Sequence, residues 1–160
     1  MSGPETKPYF EFEDAMNIYM AKYYKYIGYS INWNGDRQKD ITLYYNNMPT
    51  LVEHKYRTKE YPDILVEIIQ DMESHDLGWL YVCGADDLHY IICINNKPIY
   101  FYSIPMKKFR VWLFEWLKRT KYPQYRTSLK GWGITLNLAI PIKDIPLDLI
   151  KKYEIPEGIL

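Results

Sequence analysis

The sequence predicts an α/β (α+β) domain with a central mixed β-sheet flanked by helices. Three observations carry this. Short apolar stretches rich in Ile, Val, Leu, Thr and Tyr stand between turn signals, at Asp40–Tyr45, Thr50–Arg57 and Leu88–Asn95. Apolar residues recur at helical spacing over Phe10–Ile27 and Pro105–Arg119. The two kinds of segment alternate along the chain, which asks for a sheet with helices laid on it.

In order, residues 1–8 read as a polar tail with two prolines, followed by one domain at 9–160. The first helix carries Phe12, Met16, Tyr19, Tyr23 and Tyr26 on one side, and Gly28 is its stop. Tyr29–Trp33 is a short strand, with a turn at Asn34, Gly35 and Asp36. The next two strands form a hairpin through Asn46, Asn47, Met48 and Pro49. From Pro62 to about Ser74, the set Leu65, Ile68, Ile69 and Met72 opposes Asp63, Glu67, Gln70 and Asp71, which predicts an amphipathic helix. Gly78–Ala85, Leu88–Asn95 and Ile99–Tyr102 read as strands, with Asp86 and Asp87 at a bend. The helix from Pro105 buries Phe109, Trp112, Leu113, Trp116 and Leu117. Gly131–Ile140 is a late strand, and a short helix is expected around Leu147–Tyr153.

Of the 160 residues 48% are hydrophobic and 25% charged, which excludes a disordered, collagen-like or coiled-coil chain. No apolar run is long enough for a membrane span, and the first residues lack the pattern of a signal peptide, so a cytoplasmic protein is expected. The two cysteines, Cys83 and Cys93, sit in apolar runs and read as buried thiols; zinc would need more ligands than the chain can cluster. Twenty basic residues balance twenty acidic ones, so the chain as a whole is no electrostatic glove for nucleic acid. There is no phosphate-binding glycine loop and no Gly-x-Ser-x-Gly elbow, which sets aside NTPase, dinucleotide and serine-hydrolase readings.

The chemistry concentrates in the hairpin. Asp40 opens its first strand, and Glu53 and Lys55 lie one residue apart on the second. Strand alternation puts Leu51, Glu53, Lys55 and Arg57 on one face and Val52, His54 and Tyr56 on the other. Glu53 and Lys55 are then about 6.6 Å apart along the strand, and the hairpin can return Asp40 beside Glu53. Two carboxylates brought together suit a hard divalent cation such as Mg2+ or Mn2+, with the backbone carbonyl of His54 as a further oxygen. Lys55 is suited to hold an attacking water or to meet charge growing on a phosphate. The chemistry implied is metal-assisted phosphodiester hydrolysis. The plainer alternative is an exposed cross-strand salt bridge; Glu is a poor strand residue, and Glu53 adjoins the apolar run Thr50-Leu51-Val52.

This pattern of Asp40, Glu53 and Lys55 resembles the PD-(D/E)XK nuclease superfamily, of restriction-endonuclease-like fold, including its small phage-borne or bacterial members. The likeness extends from the first helix to Gly78–Ala85, about half the chain, with Gly78-Trp79 as its last feature. It departs from the family in having Lys39 where a proline commonly precedes the aspartate. The resemblance implies a DNA endonuclease with catalytic Asp40, Glu53 and Lys55, and a metal held by Asp40, Glu53, the His54 carbonyl and Glu13. It adds Glu67 or Gln70 as an accessory group on the helix after the lysine strand. Arg57 and Lys59 are expected at the phosphate backbone. The pattern is the same for DNA and RNA, and two copies of the chain would offer one site per strand. A non-catalytic nucleic-acid- or protein-binding module on the same fold is the alternative.

Overall fold

The structure is a computed structural model that describes residues 7–34, 40–131 and 133–159. Helix α1 (Lys7–Tyr26) comes first and ends where the sequence places its stop. Gly28 takes φ +100°, a left-handed conformation that costs glycine little, and the Tyr29 N–H returns to the Tyr24 carbonyl at 2.9 Å. Strands β1 (Ser30–Asn34), β2 (Asp40–Tyr45) and β3 (Met48–Arg57) then form an antiparallel meander. Asn46 (φ 50°) and Asn47 (φ 63°) make the β2–β3 turn, since asparagine tolerates the left-handed region at both central positions of a tight hairpin. Met48 and Pro49 therefore belong to β3, not to the turn.

The chain next leaves this sheet through β4 (Asp63–Asp71), β5 (Asp76–Leu77) and the short helix α2 (Trp79–Val82). It returns as β6 (Asp87–Ile94), parallel to β3, and β7 (Lys97–Pro105). After α3 (Met106–Arg119) come β8 (Gln124–Lys130), β9 (Gly133–Pro141) and, past a 3-10 turn at Ile142–Asp144, β10 (Lys151–Glu154). The first sheet has the order β1-β2-β3-β6-β7-β10 and is mixed; the second is antiparallel, β5-β4-β9-β8.

Two cores hold these layers. On one face of the mixed sheet, Met16, Met20, Tyr23 and Tyr24 of α1 pack on Ile41, Leu43, Val52, Ile91 and Phe101. On the other, Leu88, Tyr90, Ile92 and Ile104 meet Ile64, Val66, Leu138 and Ile140 of the second sheet and Phe109, Leu113 and Trp116 of α3. Each such side chain contributes about 1.5–3 kcal/mol by leaving water. The mixed sheet between covering layers is as the sequence predicts, with a second sheet sharing one face with α3. No helix among the described residues is long and apolar enough to cross a membrane.

Several elements differ from expectation. Residues 62–74 are not a helix: Asp63–Asp71 is strand β4. Its Ile64 and Val66 alternate into the core, and β9 offers a partner from Asp63↔Pro141 to Ile69↔Leu136. The helical spacing of Leu65, Ile68 and Ile69 competed with a two-residue spacing in a β-branched run, and pairing decided it. Gly78–Ala85 is not a strand; only Asp76–Leu77 pairs, and Trp79–Val82 turns helical. The expected helix at Leu147–Tyr153 is replaced by β10, which pairs with β7. Strand β8 carries no signal in the sequence, because its residues are mostly exposed and show no apolar alternation. Lys7 and Pro8 belong to α1, while the rest of the expected tail and the turn residues Gly35 and Asp36 lie outside the described residues.

Candidate active site

The hairpin register places Asp40 opposite Glu53, as its length requires. Parallel pairing puts Glu53 beside Leu88 and Lys55 beside Tyr90, so Glu53 and Lys55 share the face that meets the second sheet. Glu53 is buried, at 7% exposure, in the central part of the mixed sheet. Its Oε1 lies 2.9 Å from Lys55 Nζ. Burial alone would lower the Lys55 pKa; the Glu53 carboxylate, and beyond it Glu67 and Glu13, overcome this and hold it above its ordinary value. Lys55 is thus a fixed cation among carboxylates.

Glu67 reaches this group from β4, not from a helix. The Trp79 N–H donates to its Oε1 at 3.3 Å. This contact depends on Gly78: a Cβ there would stand 2.3 Å from the Glu67 carbonyl oxygen, so only glycine allows α2 to approach β4 so closely. The approach also lays the Trp79 ring against Lys55, with Nζ 5.4 Å from its centroid. Gln70 is exposed further along β4, and its carbonyl accepts the Thr135 hydroxyl at 3.0 Å. Of the two accessory candidates, Glu67 is the one brought near Lys55. Glu13 is half-buried on α1, within electrostatic reach of Lys55.

Arg57 lies two positions beyond Lys55 on the same face, and has partners within the fold. Its Nη1 donates to the Asp63 carboxylate at 2.9 Å and the Asp63 carbonyl at 2.8 Å. Asp63 also accepts Arg126 Nη2 of β8 at 3.1 Å, so one buried carboxylate joins both sheets. The Arg57 guanidinium stacks on Tyr61, 4.0 Å from the ring centroid, and Tyr61 is 41% exposed. Lys59 is exposed beyond the strand. Trp79, Tyr61, Asp63 and Arg126 carried no sequence signal as site residues, because each joins the site through a tertiary contact.

His54 points to the opposite face, as alternation predicts, and enters a buried polar network under α1. Asn17 Oδ1 accepts from the Tyr56 hydroxyl and from His54 Nδ1, the latter at 3.0 Å. His54 Nε2 is then the acceptor left for the Tyr24 hydroxyl at 2.8 Å, and His89 Nδ1–H donates to the Tyr24 oxygen at 2.6 Å. Both imidazoles are neutral in this arrangement. Burial pushes His54 down to about 4, against the opposing pull of Glu53, and burial with His54 nearby pushes His89 well below its ordinary value.

Among the described residues no group of three or more His, Cys, Asp or Glu side chains stands ready to hold a metal. The oxygen donors nearest such a role are Glu53 and Glu67, with Asp40 opposite Glu53 along the hairpin. Cys83 and Cys93 are not joined in a disulfide; Cys93 is buried, and burial pushes its thiol up to about 12. Comparison of the chain with protein-family models, with curated proteins and with solved structures finds no match in any of the three.

Proposed function

We propose that the chain is a metal-dependent nuclease whose site is Asp40, Glu53 and Lys55. The observation that carries this is the pairing of Asp40 with Glu53 across the hairpin, beside a lysine held among carboxylates. A buried glutamate, a second one on β4 and an aspartate opposite leave acid in excess over Lys55, and an all-oxygen donor set fits Mg2+ or Mn2+. Asp40 and Glu53, with the His54 carbonyl, would hold the cation, and Glu13 would add to the field. When bound, such a cation lowers the pKa of a water and polarises a phosphoryl oxygen. Lys55, released from Glu53, positions the attacking water or meets the charge that develops on phosphate. Glu67, fixed by the Trp79 N–H, borders the same space. The substrate class is nucleic acid, DNA first.

One observation favours a second reading. Lys55 satisfies Glu53, and Arg57 satisfies Asp63, as in largely buried ion pairs that serve the fold. A non-catalytic binding module would need no more. A cleavage assay on plasmid, linear duplex and single-stranded DNA with Mg2+ or Mn2+ separates the two. The nuclease reading expects cutting that chelation abolishes and that falls at least a hundredfold in Glu53→Ala and Lys55→Ala. Equal cutting by both variants, or none by the wild type on any substrate, would overturn it.

A further inference from the structure

Along the Glu53 face of β3, each cation is paired with an aromatic ring from the chain that follows. Lys55 lies against Trp79, and Arg57 stacks on Tyr61. Lys55 and Arg57 are two strand positions apart, about 6.6 Å, so the two rings belong to successive positions on one track. Neither ring is buried away: Tyr61 is 41% exposed, and Trp79 is half-buried at the start of α2. Charge is graded along the track. At one end stand Glu53 and Glu67 around Lys55; at the other, Arg57 is only 11% exposed and held by Asp63, and Arg126 on the same carboxylate is half-exposed and open to a ligand. An acidic end beside a half-exposed arginine, with two partly exposed rings alongside, is a composition suited to unpaired nucleotides. A duplex keeps its bases stacked inside and has no use for these rings.

Resting on the nucleic-acid reading of this site, we propose that its substrate is unpaired nucleic acid, with bases stacking on Trp79 and Tyr61 and the backbone passing Arg126 toward Lys55. Stacking on an aromatic side chain changes affinity by about five- to a hundredfold per base. The test is fluorescence anisotropy with metal chelated, using a labelled single-stranded DNA and the duplex of the same sequence. The wild type should bind the single strand at least tenfold tighter. Trp79→Leu and Tyr61→Leu, which keep apolar bulk but lose the ring, should each weaken single-strand binding about tenfold; Trp79→Phe should restore most of it, which separates stacking from folding. Duplex binding as tight as single-strand binding, or unchanged affinity in both leucine variants, would overturn the proposal. Ring-dependent binding by a protein that cuts nothing would support the proposal and defeat the nuclease reading. Metal-dependent cutting of duplex that ignores both rings would do the reverse.

Discussion

The Glu53–Lys55 pair shows how much one strand position decides. Slipping β3 by one residue would send both side chains under α1 and His54 into the site. The histidines carry the clearest residue-level consequence of the observed register. His54 and His89 are buried neutral, with pKa values below those of the unfolded chain, where an imidazole titrates near about 6.5. The unfolded state therefore binds protons that the native state refuses. Stability contributed by this difference is intact above about pH 7 and is lost as pH falls through about 6.5 toward the folded value. For His54, depressed to about 4, the loss is on the order of 3 kcal/mol. Urea midpoints should fall between pH 7.5 and pH 5; a flat profile over that range would contradict the neutral assignment. Tyr24→Phe leaves His54 Nε2 and His89 Nδ1 without their shared hydroxyl and should cost about 1–3 kcal/mol at pH 7.5. The sequence made the direction of His54 legible through alternation, but its partners Tyr24, Asn17 and His89 meet it only across the α1–sheet interface.

At the scale of elements, the β2–β3 hairpin was readable because its turn and both strands are local. Asn46-Asn47 sets the register, and register alone brings Asp40 to Glu53. The β4 segment was not readable, because Leu65, Ile68 and Ile69 fit a helix as well as a strand until β9, about seventy residues later, supplies a partner. That difference relocates Glu67: it reaches Lys55 from a strand, through a close approach that Gly78 alone permits. Gly78→Ala must push α2 off β4, moving both the Trp79 N–H and its ring. The variant should lose about 1–3 kcal/mol of stability, measured by denaturant unfolding, with altered tryptophan emission in the folded state. A variant as stable as the wild type with unchanged emission would contradict the packing described.

Across the whole molecule, two sheets share one core, and Asp63 is a charged link between them, beside the Leu65 N–H bond to the Tyr90 hydroxyl at 3.2 Å. Asp63 receives Arg57 from β3 and Arg126 from β8. Asp63→Ala would leave the Arg57 guanidinium, only 11% exposed, without its carboxylate. A loss of roughly 3 kcal/mol follows, while Arg126→Ala, half-exposed, should cost no more than about 1 kcal/mol. Equal costs would show that Asp63 is not a joint between the sheets. Composition reads at this scale: zero net charge hides a local order in which an acidic end with one lysine adjoins an arginine pair. That order needed the tertiary structure, since Arg57, Asp63 and Arg126 span 70 positions of chain.

In the proposed nuclease, Asp40 and Glu53 form one divalent-cation site with Lys55 as its internal competitor. Calorimetric titration with Mn2+ in the absence of nucleic acid addresses this directly. Wild type should bind saturably, Asp40→Asn and Glu53→Gln should lose binding, and Lys55→Met should bind as well or more tightly, because Nζ no longer occupies Glu53 Oε1. Absence of binding in the wild type and in Lys55→Met, or undiminished binding in Glu53→Gln, would contradict the account and leave the hairpin acids and lysine as a salt bridge that serves the fold.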